Sequence, residues 1–250
     1  MRNKIILLLC GSFNPITNMH LRMFELAKDH FRDSSTSEVI GGIISPVNDA
    51  YGKQGLQPSP QRCKMIKLAI SGDPFLLIDN WEVSQPKWNR TRVVLETLKK
   101  RLPNDLFDEY QNHPSATKSA KTLNGISSKK WIENIDLSQK ITIKLLCGAD
   151  LVESFAVPGL WDDNDINYIM EHHGLVVISR ENCNVEKFIY ESDKLYKFKK
   201  NIDLIPNWIG TDISSTKIRR SLSRKQSVKY LIPDLVLEYI KENNLYHDIS

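Results

Sequence analysis

The chain alternates blunt apolar runs with segments of helical spacing. Residues 4–10 (KIILLLC), 38–45 (EVIGGIIS), 75–79 (FLLID), 141–147 (ITIKLLC) and 174–179 (GLVVIS) read as strands, with a weaker one at 202–205. They are continuous apolar runs rather than polar–apolar alternations, so each is expected to be covered on both faces. Between them the period changes: residues 20–32 place Leu21, Phe24, Ala27 and Phe31 on one helical face. Further helices are predicted at 60–71, 89–101, 185–192, 214–223 and 233–243. Ser59 before Pro60 reads as an N-cap with proline at N1, and Pro233-Asp234 opens the last helix. Covered strands alternating with helices predict an α/β fold, a doubly wound parallel sheet with helices on both faces. In such sheets ligands bind beyond the carboxyl ends of the strands, at the switch point. GSFNP, SPVNDAYGK, GAD and the approach to ISSTKIRR each follow a predicted strand.

Residues 103–140 break the pattern. They are polar and rich in Ser, Asn and Lys, and are expected to form a surface insertion, mostly flexible, in an otherwise single domain over 1–250.

Composition narrows the classes. At 250 residues and 41% hydrophobic content the chain can bury a sizeable core. It holds no long uncharged apolar stretch, so no membrane insertion is expected. The opening MRNKIILLLCG imitates a signal peptide, but its apolar run of about six residues falls short of the roughly 7–15 required. The expectation is an intracellular protein of the cytoplasm or nucleus. Cys10, Cys63, Cys147 and Cys183 show no zinc spacing and read as reduced thiols, so no protein-held metal is expected. A net charge of +4, from 34 basic and 30 acidic residues, is too mild for a nucleic-acid footprint. It suits a few cations placed to meet small anions.

Three segments carry candidate chemistry. In GSFNPITNMH, Gly11 lets a phosphate or ribose approach the backbone, and Ser12 offers a hydroxyl. The following helix start points free N–H groups and partial positive charge at the same space, where His20 and Thr17 share a face. Taken alone, His20 reads as a partly buried, hydrogen-bonded histidine. In ISSTKIRR, Ser214 and Ser215 can cap a helix, while Ser215, Thr216 and Arg219 face one point; alone, this is a capped surface helix. Asp150 of Gly148-Ala149-Asp150 can accept ribose hydroxyls or cap the next helix, with equal weight. GxGxxG and GxxxxGK[ST] are both absent, which removes the usual warrant for a dehydrogenase or P-loop protein.

Together GSFNPITNMH and ISSTKIRR resemble the two signature segments of the adenylyltransferases of the nucleotidyltransferase superfamily. SPVNDAYGKQGL, KLLCGADLVESFAVPGLW, KFIYESD and QSVKYLIPDLVLEYI resemble the eukaryotic nicotinamide-mononucleotide adenylyltransferases over nearly the whole chain except 103–140. Met19, where the wider superfamily usually has Gly, follows that eukaryotic branch.

The resemblance implies a Rossmann-like fold and transfer of AMP from ATP to nicotinamide or nicotinate mononucleotide, with Mg²⁺ carried by ATP. It implies that Gly11, Ser12 and Phe13 line the nucleotide, that His20 donates to the ATP phosphates, and that Lys53 lies near them. Gly148 and Asp150 match the adenosine-ribose site; Ser215, Thr216 and Arg219 match the triphosphate clamp. Trp88, Thr91, Leu160 and Trp161 match the mononucleotide pocket, which Ser12 and Lys53 also border. Two positions depart from the pattern: Asn207 stands where many relatives have Glu, and Thr211 where many have Asn. An aminoacyl-tRNA synthetase core is disfavoured, since the chain has no KMSKS segment. A second role as a protein-binding chaperone and self-association into a homo-oligomer stay open.

Overall fold

In the computed structural model, residues 2–102, 141–179, 184–210 and 212–247 are described. The expected insertion at 103–140, Cys183 and Thr211 lie outside them.

Strand β1 (Asn3–Gly11) is the centre of the molecule. Side chains alternate across a strand, so Ile5, Leu7 and Leu9 enter one core while Ile6 and Leu8 enter another on the opposite face. An apolar run with no polar alternation is the consequence of that double cover. Each fully buried Ile or Leu contributes roughly 1.5–3 kcal/mol.

The first core is closed by α1 (Asn18–Arg32), α2 (Ser59–Ala69), α9 (Ser215–Ser223) and α10 (Asp234–Glu242). The second is closed by α4 (Thr91–Arg101), α5 (Ala149–Ser154), α6 (Asp163–His172) and α7 (Val185–Glu191). The short helices α3 (Trp81–Ser84) and α8 (Asp193–Tyr196) complete the set of α-helices among the described residues. β2 (Ser37–Pro46), β3 (Leu76–Ile78), β4 (Ile141–Gly148), β5 (Leu175–Ile178) and β6 (Ile202–Ile205) join β1 in one sheet of order β3-β2-β1-β4-β5-β6. Every pairing is parallel. The strand order reverses between β1 and β4, so the crevice of the switch point opens beside Gly11 and Gly148.

The predicted strands and helices all form, with one correction at a cap. Ser59 is not the N-cap of α2; Pro58 is, which moves Pro60 from N1 to N2. The physical reason is Asp49, whose Oδ2 accepts from both the Ser59 amide (3.0 Å) and its hydroxyl (2.9 Å). Helices α5 and α6 are additions to the sequence reading. α6 is capped by Asp162, whose side chain accepts from the Asn164 amide, and it buries Ile166, Ile169 and Met170. Cys10, Cys63 and Cys147 are free thiols, and burial raises the pKa of each. No helix among the described residues is long and apolar enough to cross a membrane.

Candidate functional site

The turn after β1 is an unfavourable backbone that its neighbours hold. Phe13 sits at φ 47°, in the left-handed region that a bulky residue rarely adopts. Its ring is buried, and a Cβ on Gly11 would meet it at 3.2 Å. Gly11 therefore makes room for the Phe13 ring as well as for any ligand. Of Phe13, the expected nucleotide-lining residue, only the backbone can face a ligand.

Arg62 holds this turn from below. It is 0% exposed, on the buried face of α2 beside Met65 and Ile66. Its guanidinium donates to the Ser12 carbonyl (3.0 Å), the Val47 carbonyl (2.7 Å), the Gln57 carbonyl (2.7 Å) and Asp49 Oδ1 (2.7 Å). A buried cation is tolerated only when its donors are satisfied in this way. One side chain thus joins the β1 turn, the end of β2 and the loop that carries Lys53. Burial opposes ionisation of Asp49, but the Ser59 amide and Arg62 outweigh it and hold the carboxyl below its ordinary range.

Asn14 is the second junction. Its Nδ2 donates to the Gly55 carbonyl (2.8 Å), and its Oδ1 accepts from the Gln57 amide (3.2 Å) and the Tyr246 hydroxyl (2.8 Å). Burial of the Tyr246 phenol raises its pKa, which keeps it a donor. The Asn14 carbonyl accepts from Arg219 Nη1 (2.9 Å), and the Pro15 carbonyl accepts from Ser215 Oγ (2.8 Å). The two signature segments, 200 residues apart in sequence, are therefore in direct contact. Ser214 is the N-cap of α9, and Ser215 is the first residue inside. Thr216 and Arg220 are exposed, whereas Arg219 is partly covered against the turn.

His20 is the third residue of α1, with Thr17 as N-cap. The Thr17 amide donates to His20 Nδ1 (3.0 Å), and the Thr17 hydroxyl lies 2.8 Å from the same nitrogen. This is a capping box with histidine in place of the usual Glu or Gln. An amide only donates, so Nδ1 is unprotonated and the neutral ring carries its proton on Nε2. The Phe13 ring packs edge-on against the imidazole, centroids 5.2 Å apart. Across the switch point, Gly148 is the N-cap of α5, and a Cβ there would meet Asp150 Oδ1 at 2.5 Å. The Asp150 carboxylate thus lies over Gly148 at the end of β4, on an exposed residue. Asn207, just beyond β6, is buried with its Oδ1 unpartnered.

The other half of the site is open. Lys53 is exposed, in a turn between Gly52 (φ 68°) and Gly55 (φ 69°). Trp88 is 41% exposed, its ring 5.6 Å from that of Tyr51. Thr91 opens α4, and Leu160 is 58% exposed. Trp161 packs edge-on against Phe155 (4.9 Å), and its Nε1 donates to Ser154 Oγ (3.0 Å). The Trp88 and Trp161 rings make no contact with each other among the described residues.

Glu82, on α3, is buried and within 3.4 Å of the Asn48 amide. Burial pushes its carboxyl up to about 7, against the pull of the Asn48 amide and Arg62. Asn48 Nδ2 in turn donates to the carbonyls of Glu82 (3.1 Å) and Gln85 (2.7 Å), tying the loop after β2 to the loop that carries Trp88.

A six-stranded parallel sheet whose switch point is flanked by a helix start, a glycine-carboxylate pair and a serine-arginine helix defines a nucleotide-binding α/β protein. The pattern of the family described as cytidylyltransferase-like matches residues 8–221. The nicotinamide/nicotinic acid mononucleotide adenylyltransferase 1 of Bos taurus is 47% identical over 255 residues, covering 100% of this chain and 91% of that one. The Oryza sativa subsp. japonica nicotinamide/nicotinic acid mononucleotide adenylyltransferase is 36% identical over 247 residues, covering 99% and 88%. Among solved structures, Plasmodium falciparum nicotinic acid mononucleotide adenylyltransferase complexed with NaAD matches with TM-score 0.63 at 19% identity, over 98% of each chain. That likeness speaks for the fold. The chain belongs to the nicotinamide/nicotinic acid mononucleotide adenylyltransferases, within the cytidylyltransferase-like family.

Arg62, Asn14, Glu82 and Tyr246 were missed by sequence reasoning. Arg62 left one signal: it lies three and four residues before Met65 and Ile66, on the apolar face of its helix.

Proposed function

We propose that the protein transfers AMP from ATP to the 5′-phosphate of nicotinamide or nicotinate mononucleotide, releasing pyrophosphate. The observation that carries this reading is the direct contact of the two signature segments, Ser215 on Pro15 and Arg219 on Asn14, at the start of the helix that carries His20. Family membership supplies the substrate class.

The nucleophile is the mononucleotide phosphate, an anion at neutral pH, so the protein has no proton to abstract. Its task is positioning and stabilisation of charge at the α-phosphate and the leaving pyrophosphate. His20 donates from Nε2–H to a phosphate oxygen, in the tautomer that the Thr17 amide enforces. Arg219 spends one donor on Asn14 and turns its planar fork to the triphosphate, beside Ser215 and Thr216. The backbone of Gly11, Ser12 and Phe13 accommodates the nucleotide, and Asp150 over Gly148 accepts from the adenosine ribose. Lys53 neutralises charge between the two phosphate groups. Trp88, Thr91, Leu160 and Trp161 form the mononucleotide pocket. Mg²⁺ bound to the triphosphate, as part of that substrate, would neutralise part of its charge.

The experiment is to incubate the purified protein with ATP, Mg²⁺ and each mononucleotide and to follow NAD or its deamido form together with pyrophosphate. Stoichiometric dinucleotide and pyrophosphate are expected. ATP hydrolysis without dinucleotide, or no turnover of either mononucleotide, would overturn the reading.

A further inference from the structure

The two aromatic walls assigned to the mononucleotide pocket sit on separate loops. Trp88 lies on the segment before α4 and Trp161 on the segment before α6. A flat ring held between two faces needs carbon contacts of about 3.5–4.0 Å on each side, so the gap between the walls decides whether it stacks. Since the indoles do not touch each other, packing between them does not set that gap.

Charged side chains bridge the two loops, which lead into helices packed in one core. Arg90, the N-cap of α4, stands two residues after Trp88 and one before Thr91. Asp162, the N-cap of α6, directly follows Trp161. Arg90 Nη1 lies 3.4 Å from Asp162 Oδ2 and 3.2 Å from Asp165 Oδ2. Asp165 is buried and pairs also with Arg92 Nη1 (3.5 Å). Arg92 is held in turn by Glu96 (3.2 Å) and lies over the Tyr168 ring, 4.5 Å from its centroid. The inner end of this network is therefore anchored on two helices, and only its outer end, at Arg90 and Asp162, is exposed.

We propose that Arg90, Asp162 and Asp165 form a clasp that fixes the separation of the Trp88 and Trp161 walls and so acts as a positioning device for the mononucleotide. This rests on the assignment of both tryptophans to that pocket. A general surface ion pair would stabilise α4 against α6 without favouring either substrate. A clasp acts on one substrate alone.

The test uses Arg90→Gln and Asp162→Ser, the serine keeping an N-cap acceptor for the Asn164 amide while removing the charge. Initial rates are measured with both substrates varied, and hydrogen exchange is followed at residues 86–90 and 157–161. Each variant should raise KM for the mononucleotide by about threefold to fivefold, with kcat and KM for ATP unchanged. The double variant should be no worse than the weaker single. Exchange should quicken in both loops and stay unchanged in α1 and α9. An unchanged mononucleotide KM, a parallel rise in both KM values, or additive effects would overturn the clasp. Absence of dinucleotide formation by the unaltered protein would instead overturn the function, and the clasp would then stand or fall on the exchange of the two loops.

Discussion

The proposed phosphate half of the site and the proposed mononucleotide half are built from different physics. At the phosphate half, main-chain carbonyls of residues 12, 14 and 15 accept from Arg62, Arg219 and Ser215, beneath a buried asparagine and tyrosine. At the mononucleotide half, exposed rings and a partly exposed ion-pair network span two loops. The difference suits the tasks. Charge developing on a phosphorus atom is stabilised best by donors that are already in place. A flat ring instead needs two walls at the right spacing, which the proposed clasp between two loops would hold. The left-handed Phe13 belongs to the first regime, because such a backbone persists only where its surroundings over-determine it.

The largest effect should come from breaking the rigid half at its base. Arg62→Ala leaves the Ser12, Val47 and Gln57 carbonyls without their donor, and should cost roughly 3–5 kcal/mol of stability in denaturant unfolding. A loss below about 1 kcal/mol would show that water replaces the guanidinium and that the turn holds itself.

Next comes His20. His20→Ala should lower kcat by about 10²–10³ while the fold survives, since a preorganised donor is removed. Near-normal turnover would return His20 to a purely capping role.

Glu82 lies at the border between the halves, and its effect depends on pH. Its folded carboxyl gains a proton near pH 7, whereas its ordinary value is 4.5. Between those values the folded state binds more protons than the unfolded one, so stability falls as pH rises through that window. Glu82→Gln should remove this fall, gaining on the order of 2 kcal/mol relative to the native protein between pH 4.5 and 7. Parallel pH profiles for the two proteins would mean that Glu82 stays ionised in the fold.

The contrast also explains what the sequence made legible. Strands such as KIILLLC announce themselves because double cover removes their polar positions. The signature segments are legible because they are contiguous, and Thr17 with His20 fits a local capping pattern. α6 was less legible because its first turn, DND, is polar, and only Asp162 with the spacing of Ile166, Ile169 and Met170 marked it. Arg62, Asn14 and Tyr246 were hidden for another reason. Their partners, from 5 to 232 residues away, are mostly main-chain carbonyls and an amide, and a main-chain group has no residue type to read. Likewise nothing in the sequence joins Arg90 to Asp165, 75 residues apart, until the fold brings them within 3.2 Å.

The central claim is that each half serves its own substrate. It is tested most directly by initial rates with ATP and mononucleotide both varied, for Trp161→Ala, Trp88→Ala and Arg219→Lys. Stacking is worth ~1–3 kcal/mol per base, so either tryptophan variant should raise the mononucleotide KM by roughly tenfold and leave that for ATP in place. Arg219→Lys should do the reverse, and far more than Arg220→Lys, because an ammonium does not replace a bidentate guanidinium. If a tryptophan variant weakens both substrates alike, or Arg219→Lys and Arg220→Lys behave equally, the division of the site into two halves is wrong.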